Sequence, residues 1–198
     1  MKYLLLTLSL TIWSISTQAQ SQLAMSFTGN YNIANNDLNN HFENGIGGSA
    51  ELYYYFNNSP FAVSINFSIN QFNATPNYLK EYKSKQENII DFSYSINYYT
   101  IPVILSVNYR FFCKKTFQPS IGIGAGYYSL THKIKQKGEY TSDTKISPYH
   151  EFGIYPHIAL IYAFHKNIGI FLKAGYNQTF NSYNTSYTDI RLGLIYKI

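Results

Sequence analysis

The chain has 198 residues, enough for one domain. Charged residues make up 13% of it, about half the share of a soluble domain, while aromatics reach 18%, with 21 Tyr and 14 Phe. The net charge of +5 is modest, the lone Cys113 excludes an intrachain disulfide and reads as a turn residue without a special role, and no recognition fold or stacking platform points to nucleic acid.

The first twenty residues, "MKYLLLTLSLTIWSISTQAQ", stand apart. Lys2 supplies a positive start, and Tyr3 to Ile15 form an apolar stretch too short to span a bilayer as a helix. Thr17 and Ala19 are the small residues of a cleavage site. Residues 1–19 are therefore predicted to be a secretory signal peptide, and 20–198 the mature domain; the competing reading is a buried N-terminal helix. No cysteine follows the cut, which argues against a lipoprotein. The remainder holds no long apolar run, so a helical membrane protein is excluded.

From Leu23 onward the chain alternates with period two. Leu23, Met25, Phe27 and Tyr31 share one face of a first strand; Ile46, Ala50, Leu52, Tyr54 and Phe56 share one in the second. In "PFAVSINFSIN" the apolar Phe61, Val63, Ile65, Phe67 and Ile69 alternate with small or polar residues, as side chains on opposite faces of a strand do. The fourth strand offers Ile101, Val103, Leu105, Val107, Tyr109 and Phe111, interrupted by Pro102, which cannot donate to a ladder and is expected to mark a bulge or bend. The fifth offers Ile121, Ile123, Ala125 and Tyr127, alternating with Gly122, Gly124 and Gly126. The sixth runs from Phe152 to Phe164, the seventh from Ile168 to Tyr176, the eighth from Ile190 to Ile198.

Short connections (57–60, 112–116, 165–167) alternate with long polar ones (33–44, 73–89, 130–147, 178–186). Short turns on one side and long loops on the other are the habit of outer-membrane barrels, whose closure leaves no edge in lipid. The fold predicted is all-β: an eight-stranded antiparallel up-and-down transmembrane barrel, termini in the periplasm and long loops outside. Phe56, Phe61, Phe111, Phe117 and Phe164 near the short turns, and Tyr31, Phe72, Tyr98, Tyr127, Phe152, Tyr176 and Tyr187 near the long loops, read as two interfacial girdles. The rival is a soluble secreted barrel of lipocalin type with its apolar face inward.

The ending "RLGLIYKI" carries a resemblance. Arg191, Gly193, Tyr196 and Ile198 occupy the places of the C-terminal signal of outer-membrane barrels, although members of that family often end in Phe. With "YTIPVILSVNYRF" and "PSIGIGAGYY", the chain resembles small bacterial outer-membrane barrels of the porin-family, OmpA/OmpX type over nearly all of 20–198. The resemblance implies insertion into a Gram-negative outer membrane by the barrel assembly machinery. It is weak for activity, because such barrels serve as structural proteins, adhesins, narrow pores and, rarely, enzymes.

Glu51, Arg110, Glu151, Lys173, Arg191 and Lys197 fall on the polar face, which in a barrel points inward. An eight-stranded lumen is just wide enough for side chains to fill, so a paired polar plug is expected rather than a conducting or catalytic channel. The three glycines are expected to make room for Tyr53, Tyr55 and Phe171. His132, His150, His157 and His165 lack the spacing of a metal site, and His150 and Glu151, adjacent on a strand, point to opposite faces. No cofactor and no catalytic residue is assigned. Two loop clusters, Lys80, Lys83 and Lys85, then Lys133, Lys135 and Lys137, can meet lipopolysaccharide phosphates electrostatically; the alternative is an ordinary solvated loop. The function expected is a structural or surface-interaction barrel, a monomer in outer-membrane lipid, with a narrow passive pore as the second reading and a lipid-modifying enzyme as the third.

Overall fold

A computed structural model describes residues 22–57, 59–85, 93–112, 116–137, 142–180 and 185–198. The predicted signal peptide, 1–19, and Cys113 lie outside the described residues. Eight strands follow one another: β1 (Gln22–Asn35), β2 (Gly45–Tyr55), β3 (Phe61–Asn73), β4 (Ser93–Arg110), β5 (Phe117–Lys137), β6 (Ser142–Ala163), β7 (Ile168–Thr179) and β8 (Ser186–Lys197). Each pairs antiparallel with its neighbours, and β8 returns to β1 from Ala24↔Lys197 to Asn35↔Ser186, closing the barrel.

The period-two pattern decides which face turns out. In β3, Phe61, Ile65, Phe67 and Ile69 are exposed while Ala62, Ser64, Asn66, Ser68 and Asn70 are buried. Leu105, Ile123, Ile158 and Leu192 continue this apolar exterior on other strands, each at least 60% exposed. This reverses the soluble-barrel alternative, which would place those side chains inside. The aromatic girdles need one correction. Tyr31, Tyr127 and Phe152 face out, but Phe72, Tyr98 and Tyr187 are buried inside the barrel, because they share parity with the inward residues of their strands.

Pro102 does not make a bulge. The β3–β4 ladder lapses between Phe67↔Val103 and Asn70↔Thr100, yet the register is the same on both sides. Arg110 and Ile96, even-numbered like Pro102, bond toward β3, so the missing N–H faces the strand where the lapse occurs. Pro156 does the same between β6 and β7, where pairing skips from Ile154↔Gln178 to His157↔Gly175 without a shift.

The long connections contain more structure than expected. Residues 33–44 hold the end of β1 and a short helix, α1 (Asn36–His41); Asn36, at φ 48°, makes the switch, a left-handed conformation that Asn tolerates better than most residues. Residues 73–89 hold α2 (Pro76–Ser84), whose start is dictated locally: the Thr75 hydroxyl accepts from the Tyr78 N–H, and Pro76 opens the helix. Residues 130–147 are mostly strand, since β5 and β6 stay paired out to Lys137↔Ser142. With β4 they form a three-stranded blade rising above the other strands.

The interior has three layers. At the long-loop end an apolar cap gathers Phe72, Tyr98, Tyr128 and Tyr187 with Leu38 of α1 and Phe42, and Tyr78, Leu79 and Tyr82 of α2 pack against it. At the short-turn end Tyr53, Tyr55, Ile161, Phe171 and Ile195 form a second apolar cluster. Between them lie the polar side chains.

Candidate functional site

The middle layer is built around two buried ion pairs. Glu51 of β2 accepts from the Lys173 ammonium of β7 at 2.8 and 2.7 Å and from the Ser64 hydroxyl at 2.7 Å. The Lys173 and Glu51 side chains are 0% and 2% exposed. Ser64 accepts in turn from Asn108 at 3.1 Å, and the Asn108 carbonyl oxygen lies 2.8 Å from Nε2 of His157. The second pair joins Arg191 to Asp189 within β8, with Nε 2.9 Å from Oδ2. Asp189 also accepts from the Tyr155 hydroxyl at 2.8 Å and from Asn177 at 3.2 Å. Tyr155 lies between the nodes: its ring centroid is 5.0 Å from the Arg191 guanidinium and 5.8 Å from the Lys173 ammonium. Burying a charge is tolerable only when it is paired and hydrogen-bonded, and these four charges are.

The six expected lumen residues do not form one cluster; Lys197, half-buried at the end of β8, lies near Arg110. Glu51, Lys173 and Arg191 come together, and Asp189 joins them. Arg110 sits apart near the short turns, donating to the Ser59 carbonyl at 3.2 Å with its guanidinium 4.1 Å over the Tyr55 ring. Glu151 is buried toward the other end, beside Thr179 and opposite Tyr128 in the ladder. Asp189 was the residue missed; its signal was parity, since it lies two positions before Arg191 and therefore on the same face.

The glycines serve other neighbours than expected. A side chain at Gly122 would meet His157 and Asn108, at Gly124 Ser106 and Ile104, and at Gly126 the β4 backbone. Tyr53, Tyr55 and Phe171 belong to the apolar cluster at the short-turn end instead. The rings that need space are Tyr155, against Gly175, and Tyr128, against Gly153. His150 stacks on Tyr127 outside, with ring centroids 5.3 Å apart, while Glu151 points in. Among the described residues no group of three or more His, Cys, Asp or Glu could hold a metal ion.

The outer lysines divide between two elements. Lys80, Lys83 and Lys85 lie exposed on and just after the helix α2 rather than on an irregular loop, and Lys85 pairs with Glu81 at 2.6 Å. Lys133 and Lys135 lie on strand β5, at the parity of the outward Ile123 and Tyr127, and Lys137 ends that strand. At the C-terminus Arg191 is buried, and Tyr196 and Ile198 are exposed. A side chain at Gly193 would meet the β1 backbone at Phe27 and Thr28. The Ile198 N–H donates to the Leu23 carbonyl at 2.8 Å.

Comparison with known proteins agrees with this architecture. No curated protein matches the chain. Among solved structures, it is similar to a major outer membrane protein of Thermus thermophilus (12% identity, TM-score 0.61, covering 91% of this chain and 100% of that one). It is also similar to Ail, the attachment invasion locus protein of Yersinia pestis, solved in complex with the heparin analogue sucrose octasulfate (14% identity, TM-score 0.58, 91% and 100% covered). A third is Neisserial surface protein A (12% identity, TM-score 0.54, 91% and 98% covered). At these identities the likeness speaks for the fold. The profile of the outer membrane protein beta-barrel domain matches residues 5–197, so the chain belongs to that family, whose setting is the bacterial outer membrane.

Proposed function

We propose that this protein is a non-conducting outer-membrane barrel whose role is exercised at the cell surface. The observation that carries this reading is the filled lumen: two buried ion pairs across its middle, with an aromatic cluster at either end. Residues 1–19 direct export, the barrel assembly machinery reads Arg191, Gly193, Tyr196 and Ile198, and the monomer stands with both termini in the periplasm. The helices and blade then face outside, the blade presenting Lys133 and Lys135 to anionic glycans such as lipopolysaccharide. The polyanionic sugar held by Ail supports this choice of ligand class for a barrel of the same fold.

Planar-bilayer recording of the refolded barrel tests the reading. No steps above the lipid baseline are expected; sustained unit conductance would favour the narrow-pore alternative.

A further inference from the structure

The outward face of the blade changes character row by row. Its lowest row is Val103, Tyr127 and Phe152, paired across β4, β5 and β6 and continuous with the lipid-facing band. Two rows higher stand Tyr99 and Thr131; above these come Lys133 beside Asn97, and Lys135 beside Ser95. The strand rises about 3.3 Å per residue at a tilt near 40°, so Lys133 stands roughly 15 Å above Tyr127. That is beyond the hydrocarbon and level with the sugars and phosphates of a glycolipid leaflet.

No acid among the described residues shares this face. Among the described residues of the three strands the only carboxylates are Asp143 and Glu151, and both take the opposite parity. The lysines of α2 differ, since Glu81 lies among them and holds Lys85. Among the described residues the blade therefore offers two lysines with no acid on their face, at a fixed height above the lipid belt, with Ile146 beside Lys133 and with Tyr99, Ser129 and Thr131 beneath to meet sugar.

From this arrangement we propose that the outward face of β4–β6, through Lys133 and Lys135, binds the phosphorylated headgroup of an outer-leaflet glycolipid from the side of the barrel. Two observations choose the occupant: charge complementarity, and continuity with the surface already facing lipid. The proposal rests on the orientation given above, with the helices and blade outside.

The test uses the mature barrel refolded in detergent micelles and titrated with fluorescently labelled lipopolysaccharide. Lys133→Ser with Lys135→Ser should weaken binding by about tenfold or more, on the scale of two cations lost near an anionic surface. Lys80→Ser with Lys83→Ser should change it by less than about twofold, as exposed charges farther from the headgroup are screened. Dephosphorylated lipopolysaccharide should bind the parent protein as weakly as the blade variant binds the intact lipid. Unchanged binding by the blade variant, a loss confined to the α2 variant, or equal binding of the dephosphorylated lipid would each overturn the proposal. Complete displacement by millimolar inorganic phosphate would also overturn it, in favour of a free-anion site. Both pairs are on the surface, and the heat-dependent gel shift of a folded barrel checks each variant. None of these outcomes bears on conductance, so the sealed-lumen reading stands or falls separately.

Discussion

Glu51 and Lys173 offer the sharpest test of the lumen. The pair ties β2 to β7 across the barrel, and Arg191 acts on the same carboxylate as well as lying opposite Lys173 in the β7–β8 ladder. Breaking a buried pair by removing one partner costs about 3–5 kcal/mol, whereas replacing both by apolar residues is often neutral or stabilising. The surroundings make the two single changes unequal. Lys173→Met leaves Glu51 with the Ser64 hydroxyl and the nearby positive charge of Arg191. Glu51→Leu removes the carboxylate bonded to Lys173 and leaves two cations facing one another. Glu51→Leu is therefore expected at the upper end of that range, Lys173→Met at the lower end, and the double variant within about 2 kcal/mol of the parent. The only tryptophan, Trp13, falls in the predicted leader, so urea unfolding in liposomes is best followed by gel migration and far-UV circular dichroism. Additive single effects, or a greater loss from Lys173→Met, would refute the reasoning.

Other changes probe the wall and the seam. Leu105, 64% exposed on the outer face, should cost about 2–4 kcal/mol when replaced by Arg if it lies near the bilayer midplane, read as a lower urea midpoint. Gly193→Val places a branched side chain against the β1 backbone and should abolish the heat-dependent gel shift; a normal shift would show that β8 can move away. Deletion of Tyr196–Ile198 removes two outward anchors and the end of the closing ladder, so the chain should collect in the periplasm or be degraded, whereas Lys197→Ala should insert. In a Cys113→Ser background, cysteine at Ser84 should react with an impermeant reagent on intact cells and cysteine at Lys166 should not; the opposite result would invert the topology.

The barrel wall was readable because lipid imposes alternation: Ile65 and Leu105 must be apolar where Asn66 and Ser106 need not be. Where the strands leave the bilayer that pressure ends. In "HKIKQK" and "SDTKISPY" the outer face no longer meets lipid, while Ile134 and Tyr149 still pack inward against the cap, so the apolar-out alternation of the wall is lost and the blade reads as loop. The helix α2 had a local signal in Thr75 and Pro76, obscured by the polar residues around it. Parity could say that Glu51 and Lys173 point inward, but not that they meet, because their contact depends on how the closed sheet is staggered. Grouping by height alone mixes the inward Tyr98 and Tyr187 with the true girdle residues, since all of them lie at one level and only parity, which gives the face, separates them.

The stagger that brings Glu51 to Lys173 also bears on the line where β1 meets β8. Going round the wall from β2 to β7 by the short route crosses that line. The ion pair, and a weaker contact from Arg191 of β8 to Ser49 of β2 at 3.4 Å, therefore act as internal stitches behind it. Parting β1 from β8 would break a ladder and also bare a carboxylate and two cations to hydrocarbon. Such a wall resists sideways opening, so it cannot serve as a slot through which lipid or peptide slips between bilayer and lumen. During assembly the same stitches can form only when the circle is nearly complete, which makes closure an abrupt final event.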